Sequence, residues 1–453
     1  MGNVLGSKVE GRVILPGQVQ YDETRKVWNG AVDRKPGMIV VCELAEDVAA
    51  AVKYARERQL SVSIRGGGHH LAGTAVCDDG VMIDLSKMRK VNVEPERKVA
   101  HVQGGALLSD IDRETQKFGL AVPTGTVSET GVAGLALNGG LGYLRGKYGL
   151  TCDNILGAEM VTAEGEIIRV DKNNHKDLFW AIRGGGGNFG VVTEFKFQLH
   201  EVGPEVLALD VMYDYNDAKT ILKKTEAYMK QAPDEISINI TATTLPPAPF
   251  LPDFLHLKQV IMITGMYARD ALAGESVIKP LRELADPIVD GTKVMPYVEL
   301  QSKLDIMVPN HVPVYGTSLY FNGLPDNMID ALLHKIDQAP APSVLVQLWS
   351  MHGEMNRVPA DETPFAIRAA SFVLLVDFIA MEVPGEICEK WIDSVYDRLL
   401  PYSFKKASYL NAVGLGETIT KNAFGENYKR LEKVKKKYDP KNLFRHNHNI
   451  KPE

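Results

Sequence analysis

The segment R-G-G-G-H-H-L-A-G, from Arg65 to Gly73, decides how this chain is interpreted. The runs Met38–Leu44 and Leu60–Arg65 before it are rich in strand-forming residues. Between these runs, Ala45–Arg58 has apolar residues at helical spacing and acidic residues in the first turn, where the helix dipole favours them. The pattern predicts a β-α-β unit that ends in a glycine loop. Consecutive glycines let backbone N–H groups converge on an anion such as a pyrophosphate.

Two further glycine-rich segments lie downstream, at Gly131–Gly142 and Arg183–Gly190. The second contains the spacing G-x-G-x-x-G, which in a nicotinamide-dinucleotide fold stands between a strand and the helix that follows it. Here the order is reversed, because Asp177–Arg183 has a helical pattern and Val191–Leu199 has the pattern of a strand. The segment therefore argues against that fold.

The pattern changes near Glu201–Pro204. Beyond this point longer runs alternate apolar with polar residues, and the helical patterns Asn216–Gln231 and Asp326–Gln338 separate some of them. The alternating runs are Val206–Tyr213, Ile236–Thr243, Gln259–Met266, Tyr315–Phe321, Val344–Trp349 and Ser371–Ala380. Such runs are typical of an antiparallel sheet with one face against a core, so the second half is predicted to be an α+β unit.

Composition sets the class of protein. The chain has 453 residues, of which 45% are hydrophobic and 24% charged, as expected for a soluble globular protein of two or three domains. The net charge of −6 argues against an electrostatic grip on nucleic acid or on an anionic membrane. The start has no apolar signal region, and the longest apolar stretch, near Phe372 to Val383, is broken by Asp377. We expect a cytoplasmic protein, monomeric or homodimeric, with reduced cysteines.

Several polar clusters have more than one interpretation. His69 and His70 belong either to a functional loop or to a tight turn, and metal binding is not favoured because no Asp, Glu or Cys lies at convergent spacing. His446 and His448 would share one face of a strand, and no metal is expected there either. Four lysines in the last helix, Asn427–Tyr438, suit a solvated helix face better than a nucleic-acid patch: Lys433, Lys435, Lys436 and Lys437.

Five segments, taken together and in order, resemble the FAD-linked oxidase superfamily, which includes vanillyl-alcohol oxidase and the berberine-bridge enzymes. They are R-G-G-G-H at Arg65–His69, P-T-G-T-V-S-E-T-G-V-A-G at Pro123–Gly134, K-Y-G-L-T-C-D-N-I-L at Lys147–Leu156, R-G-G-G-G-N-F-G-V-V-T at Arg183–Thr193, and Y-D-P-K-N-L-F-R-H-N-H-N-I at Tyr438–Ile450. The G-L-A-L-N-G-G and R-H-N-x-N-I-x-P segments are most similar to the 6-hydroxynicotine-oxidising members.

The resemblance implies an α+β chain. A PCMH-type FAD-binding domain of two small α/β subdomains would occupy residues 1–204. A substrate domain, with an antiparallel sheet backed by helices, would occupy 205–405, and 406–453 would return to the FAD-binding domain. The resemblance also implies FAD attached through its 8α-methyl to His69. Many members add a cysteinyl link, but the matching position here is Val127, so a single link is expected.

The same resemblance implies which residues contact the cofactor. The pyrophosphate would lie along the first glycine loop, the flavin along the second, the adenine near Val192, and the isoalloxazine ring near the C-terminal asparagines. The cofactor-binding residues are then Arg65, Gly66, Gly67, Gly68, His69, His70, Thr130, Gly131, Gly134, Asn138, Gly142, Val192, Asn411 and Asn447.

The activity implied is transfer of a hydride from a C–H next to N or O of a small amine, alcohol or sugar. Molecular oxygen would then be reduced to H₂O₂, with Thr130 placed to control its approach. A dehydrogenase with another acceptor and a non-catalytic flavoprotein are the alternatives. Alternation puts Leu345, Gln347 and Trp349 on one face of their strand, either lining the substrate pocket or packing in the core. That face is neutral, which argues against 6-hydroxynicotine as the substrate.

Tyr409 is the first candidate for the base that removes the substrate's N–H or O–H proton. The family's Tyr-x-Asn motif ends a strand at the flavin, and alternation would put Tyr409 and Asn411 on the same face. A phenol has an ordinary pKa of about 10, so it needs a nearby cation to act as a base. Tyr409 could instead only pack against the flavin, and His352 and Tyr315 are the next candidates.

Overall fold

The structure is a computed structural model that describes residues 5–249 and 251–453. Residues 1–4, which belong to the start that was searched for an apolar signal region, lie outside the described residues. No helix in the described ranges is long and apolar enough to cross a membrane.

The first sheet has four strands; three of them are parallel, as the predicted β-α-β unit requires, and the edge strand Arg12–Ile14 is antiparallel to its neighbour. Parallel strands covered on both faces are apolar throughout, and all four residues of M-I-V-V at Met38–Val41 are buried. The helix Ala45–Glu57 connects the strand Met38–Val41 to the strand Val62–Arg65 and packs against the sheet through Val48, Ala51 and Val52. In spatial order the strands are Arg12–Ile14, Met38–Val41, Val81–Asp84 and Val62–Arg65.

The second sheet has five antiparallel strands around a core that includes Phe195 and Phe197. In spatial order they are Val91–Glu94, Val99–Gln103, Val191–Gln198, Ile155–Val161 and Ile167–Asp171. Its helices are Leu108–Thr115, Val132–Leu137 and Lys176–Ile182. The last of these precedes the third glycine segment, and a strand follows it, which confirms the order that argued against a nicotinamide fold.

The third sheet is antiparallel and has eight strands. In spatial order they are Pro287–Asp290, Glu205–Asp214, Gln259–Tyr267, Ile236–Thr244, Val344–Ser350, Phe372–Ile379 and Val314–Phe321, with Lys293–Pro296 pairing beside Glu205–Asp214. The helices Ala218–Met229, Ala271–Arg282, Asp326–Asp337 and Gly385–Leu399 cover one face. Shorter helices are Tyr21–Thr24, Arg145–Tyr148, Tyr297–Ser302 and Glu354–Arg357.

Alternation along the strands of this sheet divides the core in two. Leu374, Val376 and Phe378 pack with the helices, whereas Val373 and Leu375 pack with residues of the second sheet. The inner face of the third sheet is therefore turned towards the glycine loops. It forms one wall of the site.

The C-terminal segment packs against the glycine loops. It contains the helices Glu417–Phe424 and Tyr428–Tyr438. The prediction of a fully solvated lysine face is wrong for Lys435, which is completely buried. Lys435 pairs with Asp439 at 2.7 Å and donates to the backbone carbonyls of Asn188 and Phe444. The expected strand at Tyr409–Asn411 is also wrong, because a 3₁₀ turn, Leu410–Ala412, occupies that place.

Candidate active site

One cavity lies between the first two glycine segments and the inner face of the third sheet. Most of the site residues predicted from the sequence line this cavity, and they come from all three parts of the chain. They are Gly66, Gly67, Gly68, His69, His70, Thr130, Gly131, Gly134, Asn138, Leu345, Gln347, Trp349, Tyr409 and Asn411.

The two glycine segments touch through their backbones. A Cβ atom on Gly67 would overlap the backbone nitrogen of Gly131, so neither position tolerates a side chain without a shift. A Cβ on Gly134 would meet nothing within 4 Å. Asn138 Oδ1 is buried without a hydrogen-bond partner in the described part of the chain. The open space at Gly134 leaves room for the close approach of FAD, and the unsatisfied Asn138 acceptor suits an N–H donor such as that of the flavin ring.

His69 lies in the cavity with its ring stacked on Trp28, at 4.5 Å between ring centroids. Burial lowers the pKa of His69 to about 4, so its imidazole is neutral and has a lone pair available at neutral pH. Val127 lines the same cavity and offers no thiol. The arrangement suits one covalent link, through His69.

Two other histidines hold the turn that carries Tyr409 and Asn411. His70 Nε2 and His448 Nε2 lie 2.9 Å and 2.8 Å from the Leu410 carbonyl oxygen, which accepts a hydrogen bond from each ring. Burial lowers the pKa of both imidazoles, so each ring is neutral and donates through one N–H. His448 therefore positions the turn. Among the described residues, no group of three or more His, Cys, Asp or Glu side chains could hold a metal ion.

Tyr409 and Asn411 do meet, although by way of the 3₁₀ turn. The Tyr409 hydroxyl accepts hydrogen bonds from Asn411 Nδ2 at 3.0 Å and from the Leu141 backbone at 3.2 Å. Burial raises the pKa of Tyr409 to about 12, and no cation offsets it. The phenol therefore stays protonated at neutral pH, which disfavours the role of base.

The other two candidate bases lie away from the cavity. Tyr315 is on the helix-covered face of its strand, with its hydroxyl against Gly385. His352 Nε2 lies 3.4 Å from the Pro233 carbonyl oxygen, and burial and the nearby Arg145 lower its pKa to about 4. Neither side chain lines the cavity, so the structure does not bring either of them to the site.

Four predicted cofactor residues also stand outside the cavity lining. Arg65 is engaged in an ion pair with Asp84 at 2.6 Å. Val192 is buried within its strand, and Gly142 packs against the Thr124 backbone. Asn447 Nδ2 donates to the Gly187 carbonyl at 3.0 Å. Their contact with the cofactor stays a prediction.

Asp377 is a candidate functional residue that the sequence analysis missed. It lies on the inner face of the strand Phe372–Ile379, directly across from Leu345, and it lines the cavity. Its carboxyl has no hydrogen-bond or ion-pair partner among the described residues, and burial raises its pKa to about 7. The sequence pattern could have indicated Asp377, because alternation places this aspartate on the same face of an otherwise apolar strand as Val373 and Leu375.

The segment 303–313 closes the remaining side of the cavity through Leu304, Met307 and Val308. Asp305 fastens it to the second glycine region by accepting hydrogen bonds from Ser128 N at 2.8 Å and Ser128 Oγ at 2.6 Å. The cavity is thus enclosed by apolar side chains opposite the glycine loops.

Two family models match the chain. The FAD binding domain matches residues 36–171, and the berberine and berberine-like model matches 408–451. An FAD-linked oxidoreductase of Dictyostelium discoideum is 32% identical over 456 residues, which cover 99% of this chain and 96% of that protein. The (R)-6-hydroxynicotine oxidase of Paenarthrobacter nicotinovorans is 32% identical over 462 residues, which cover 98% of this chain and 97% of that protein.

A solved structure shows the same architecture. The crystal structure of 6-hydroxy-D-nicotine oxidase from Arthrobacter nicotinovorans matches with a TM-score of 0.88 at 29% identity, and the match covers 98% of both chains. The expected α+β fold and the resemblance to 6-hydroxynicotine-oxidising relatives are confirmed. The chain therefore belongs to the berberine-bridge-like family of FAD-linked oxidoreductases and is an FAD-dependent enzyme.

Proposed function

We propose that this enzyme is an oxidase of a small molecule and that Asp377 is its catalytic base. The substrate would lose a hydride from a C–H next to N or O and a proton from that heteroatom. The observation that carries the proposal is Asp377 itself, a carboxyl that lines the cavity, has no protein partner among the described residues and has its pKa raised by desolvation to about 7. A general base is most effective when its pKa lies near the working pH.

The residues of the cavity divide the remaining roles. FAD, when bound, would supply the hydride acceptor, and the glycine loops and Asn138 would hold the cofactor. The Tyr409 hydroxyl accepts two hydrogen bonds and keeps its own proton, so it would orient the group that binds beside it. Leu304, Met307 and Val308 line the cavity with apolar surface, which would strengthen the interaction between Asp377 and the substrate.

Attachment through His69 alone is part of the same proposal. The neutral imidazole is a competent nucleophile, and Val127 excludes a second, cysteinyl link. A covalent link keeps the cofactor from dissociating and makes it a stronger oxidant. Reoxidation by O₂ would give H₂O₂, with Thr130 beside the approach to the flavin.

The test uses the holoenzyme and a panel of small amines, alcohols and sugars. A substrate should bleach the flavin under anaerobic conditions, and admission of air should restore the colour with release of H₂O₂. Asp377→Asn keeps the shape of the side chain and removes the base, so flavin reduction should slow by roughly 10²–10⁴ at unchanged FAD content. An unchanged rate in that variant would remove Asp377 from the mechanism. Bleaching without reoxidation by air would indicate a dehydrogenase.

A further inference from the structure

We propose that the substrate is a compact, largely apolar amine. Its nitrogen would bind Asp377, and a hydrogen-bond acceptor on the far side of the molecule would bind the Gln347 amide. The inference rests on the proposed function, because it takes the cavity beside Asp377 as the place of reaction.

The charge of the cavity favours an amine. Its lining, within the described residues, contains no Lys, Arg or Glu, and His69 and His70 are neutral because burial lowers their pKa. Asp377 is therefore the one ionisable group there that carries a charge near neutral pH. A buried carboxylate without a cation is costly. A protonated amine supplies both the missing charge and an N–H donor, an alcohol supplies only a donor, and a carboxylic acid would be repelled.

The second polar group of the inner face has a fixed orientation. Trp349 Nε1 donates to Gln347 Oε1 at 3.3 Å, and an indole N–H can only donate, so the amide oxygen is the atom turned towards the tryptophan. Gln347 Nε2 has no partner among the described residues. It is free to donate to an acceptor on the substrate.

The strand register sets the size of the molecule that reaches both groups. Asp377 pairs with Leu345, and Gln347 pairs with Leu375, so Asp377 and Gln347 are diagonal neighbours on one face of the sheet. Diagonal neighbours have Cβ atoms about 7–8 Å apart or slightly less. One ring bridges that span. Leu304, Met307 and Val308 enclose it with apolar surface, which suits an aromatic body and not an oligosaccharide with many hydroxyls.

The chemistry balances for an amine. The ammonium gives one N–H proton to the Asp377 carboxylate, which leaves a neutral nitrogen with a lone pair. The adjacent C–H then leaves as a hydride, and its two electrons pass to the FAD that the enzyme uses. The substrate would become an iminium ion, which water hydrolyses to a carbonyl compound and ammonia, or an amine where the nitrogen carries a second substituent.

The experiment compares three ligands on the holoenzyme by calorimetric titration and by anaerobic flavin bleaching at pH 8. They are para-methoxy-α-methylbenzylamine, the alcohol with the same skeleton, and α-methylbenzylamine, which lacks the acceptor. We expect the methoxy amine to bind at least roughly tenfold more tightly than the alcohol, an advantage that Asp377→Asn should abolish. Gln347→Leu should weaken the methoxy amine by roughly tenfold and leave the unsubstituted amine nearly unchanged.

Equal or tighter binding of the alcohol, no measurable binding of either amine, or amine affinity that is indifferent to Asp377→Asn would overturn the inference. Bleaching by the alcohol but not by the amine, at a rate that still depends on Asp377, would overturn it while leaving the proposed function intact. If no ligand of the wider panel bleaches the flavin in a manner that depends on Asp377, the proposed function fails as well.

Discussion

At the scale of single residues, the assignment of the base depends on two side chains that border the same cavity. Both have a pKa raised by burial, but the consequences are opposite. The carboxyl of Asp377 is brought to about 7, where it can both lose and accept a proton, whereas the phenol of Tyr409 is brought to about 12 and keeps its proton.

Tyr409→Phe distinguishes the two assignments. The hydroxyl only orients its surroundings, so we expect loss of the two hydrogen bonds that it accepts to slow flavin reduction by less than about tenfold. Rapid-mixing measurement of the anaerobic reduction rate checks this, with flavin content as the control. A loss of about 10²–10⁴, the size expected for a general base, would return that role to Tyr409.

The link through His69 makes its own prediction. Acid-denatured wild-type protein should stay yellow, and the tryptic peptide that contains His69 should carry the added mass of FAD. His69→Ala should release all of its flavin on denaturation. His446→Ala is the matched control, because His446 Nε2 bonds to the Val76 carbonyl at 2.8 Å and does not line the cavity. Free flavin in the acid supernatant of the wild type would rule out the link.

At the scale of strands and turns, Gly316 leaves the room that the carboxyl of the proposed base, Asp377, occupies. It pairs with Asp377 across the sheet, and a Cβ there would lie 2.5 Å from Asp377 Oδ1 and 2.8 Å from the Val376 carbonyl oxygen. The Val376 carbonyl oxygen belongs to the backbone, so it cannot move away without a shift of the strand. The strand must shift, or the carboxyl must turn away.

Gly316→Ala should therefore slow flavin reduction by roughly tenfold or more while the enzyme keeps its FAD, since a small misplacement of a reacting group is costly. Gly414→Ala is the matched control, because nothing lies within 4 Å of a Cβ at that position. The anaerobic reduction rates of the two variants give the comparison. Equal rates would show that Asp377 tolerates the methyl group, or that its position is unimportant.

The elements that the sequence predicted well are those with strong periodicity. The helix predicted at Ala45–Arg58 is Ala45–Glu57, and the strand predicted at Val344–Trp349 is Val344–Ser350. The turn at Leu410–Ala412 was missed because distant imidazoles, on His70 and His448, fix the carbonyl of its first residue. No pattern within five residues of Tyr409 carries that information. For Lys435 the partner Asp439 is only four residues away, but the Asn188 carbonyl that also accepts from it lies 247 residues away.

At the scale of the whole molecule, a buried carboxyl outside the cavity lies where the first half of the chain meets the helix Tyr297–Ser302. Asp112 is 1% exposed, and Oδ2 accepts a hydrogen bond from Gln301 Nε2 at 3.2 Å, while Oδ1 has no partner among the described residues. Burial raises the pKa of Asp112 to about 7.

Asp112 should make stability fall as pH rises. The folded protein keeps this proton up to about pH 7, whereas the unfolded chain releases it near an ordinary aspartate pKa of about 4, so the folded state binds more protons between these values. Asp112→Asn cannot ionise, and we expect it to be more stable than the wild type at pH 8, by a few kcal/mol at most, and similar at pH 4. Thermal unfolding at the two pH values checks this, with the exposed Asp397→Asn as control. A variant less stable than the wild type at pH 8 would contradict it.

The architecture could be predicted from the sequence because its signals repeat: glycine loops after strands, alternation over eight or nine residues, and five family segments in order. The pocket could be predicted only in part. Alternation placed Leu345, Gln347 and Trp349 on one face, but whether that face met the flavin or the core depended on how the sheets pack. Asp377 was interpreted as a break in an apolar stretch, since its burial becomes apparent only when the third sheet faces the glycine loops.

The central claim is that Asp377, titrating near neutral pH inside the cavity, accepts the substrate's proton. The most direct measurement is the pH dependence of the second-order rate constant for anaerobic flavin reduction, in the wild type and in Asp377→Asn, because this constant reports ionisations of the free enzyme. We predict that the wild-type rate rises through an ionisation at about pH 7, as burial of Asp377 requires, and that the variant loses both the rate and this ionisation. A wild-type ionisation that persists unchanged in Asp377→Asn would contradict the account.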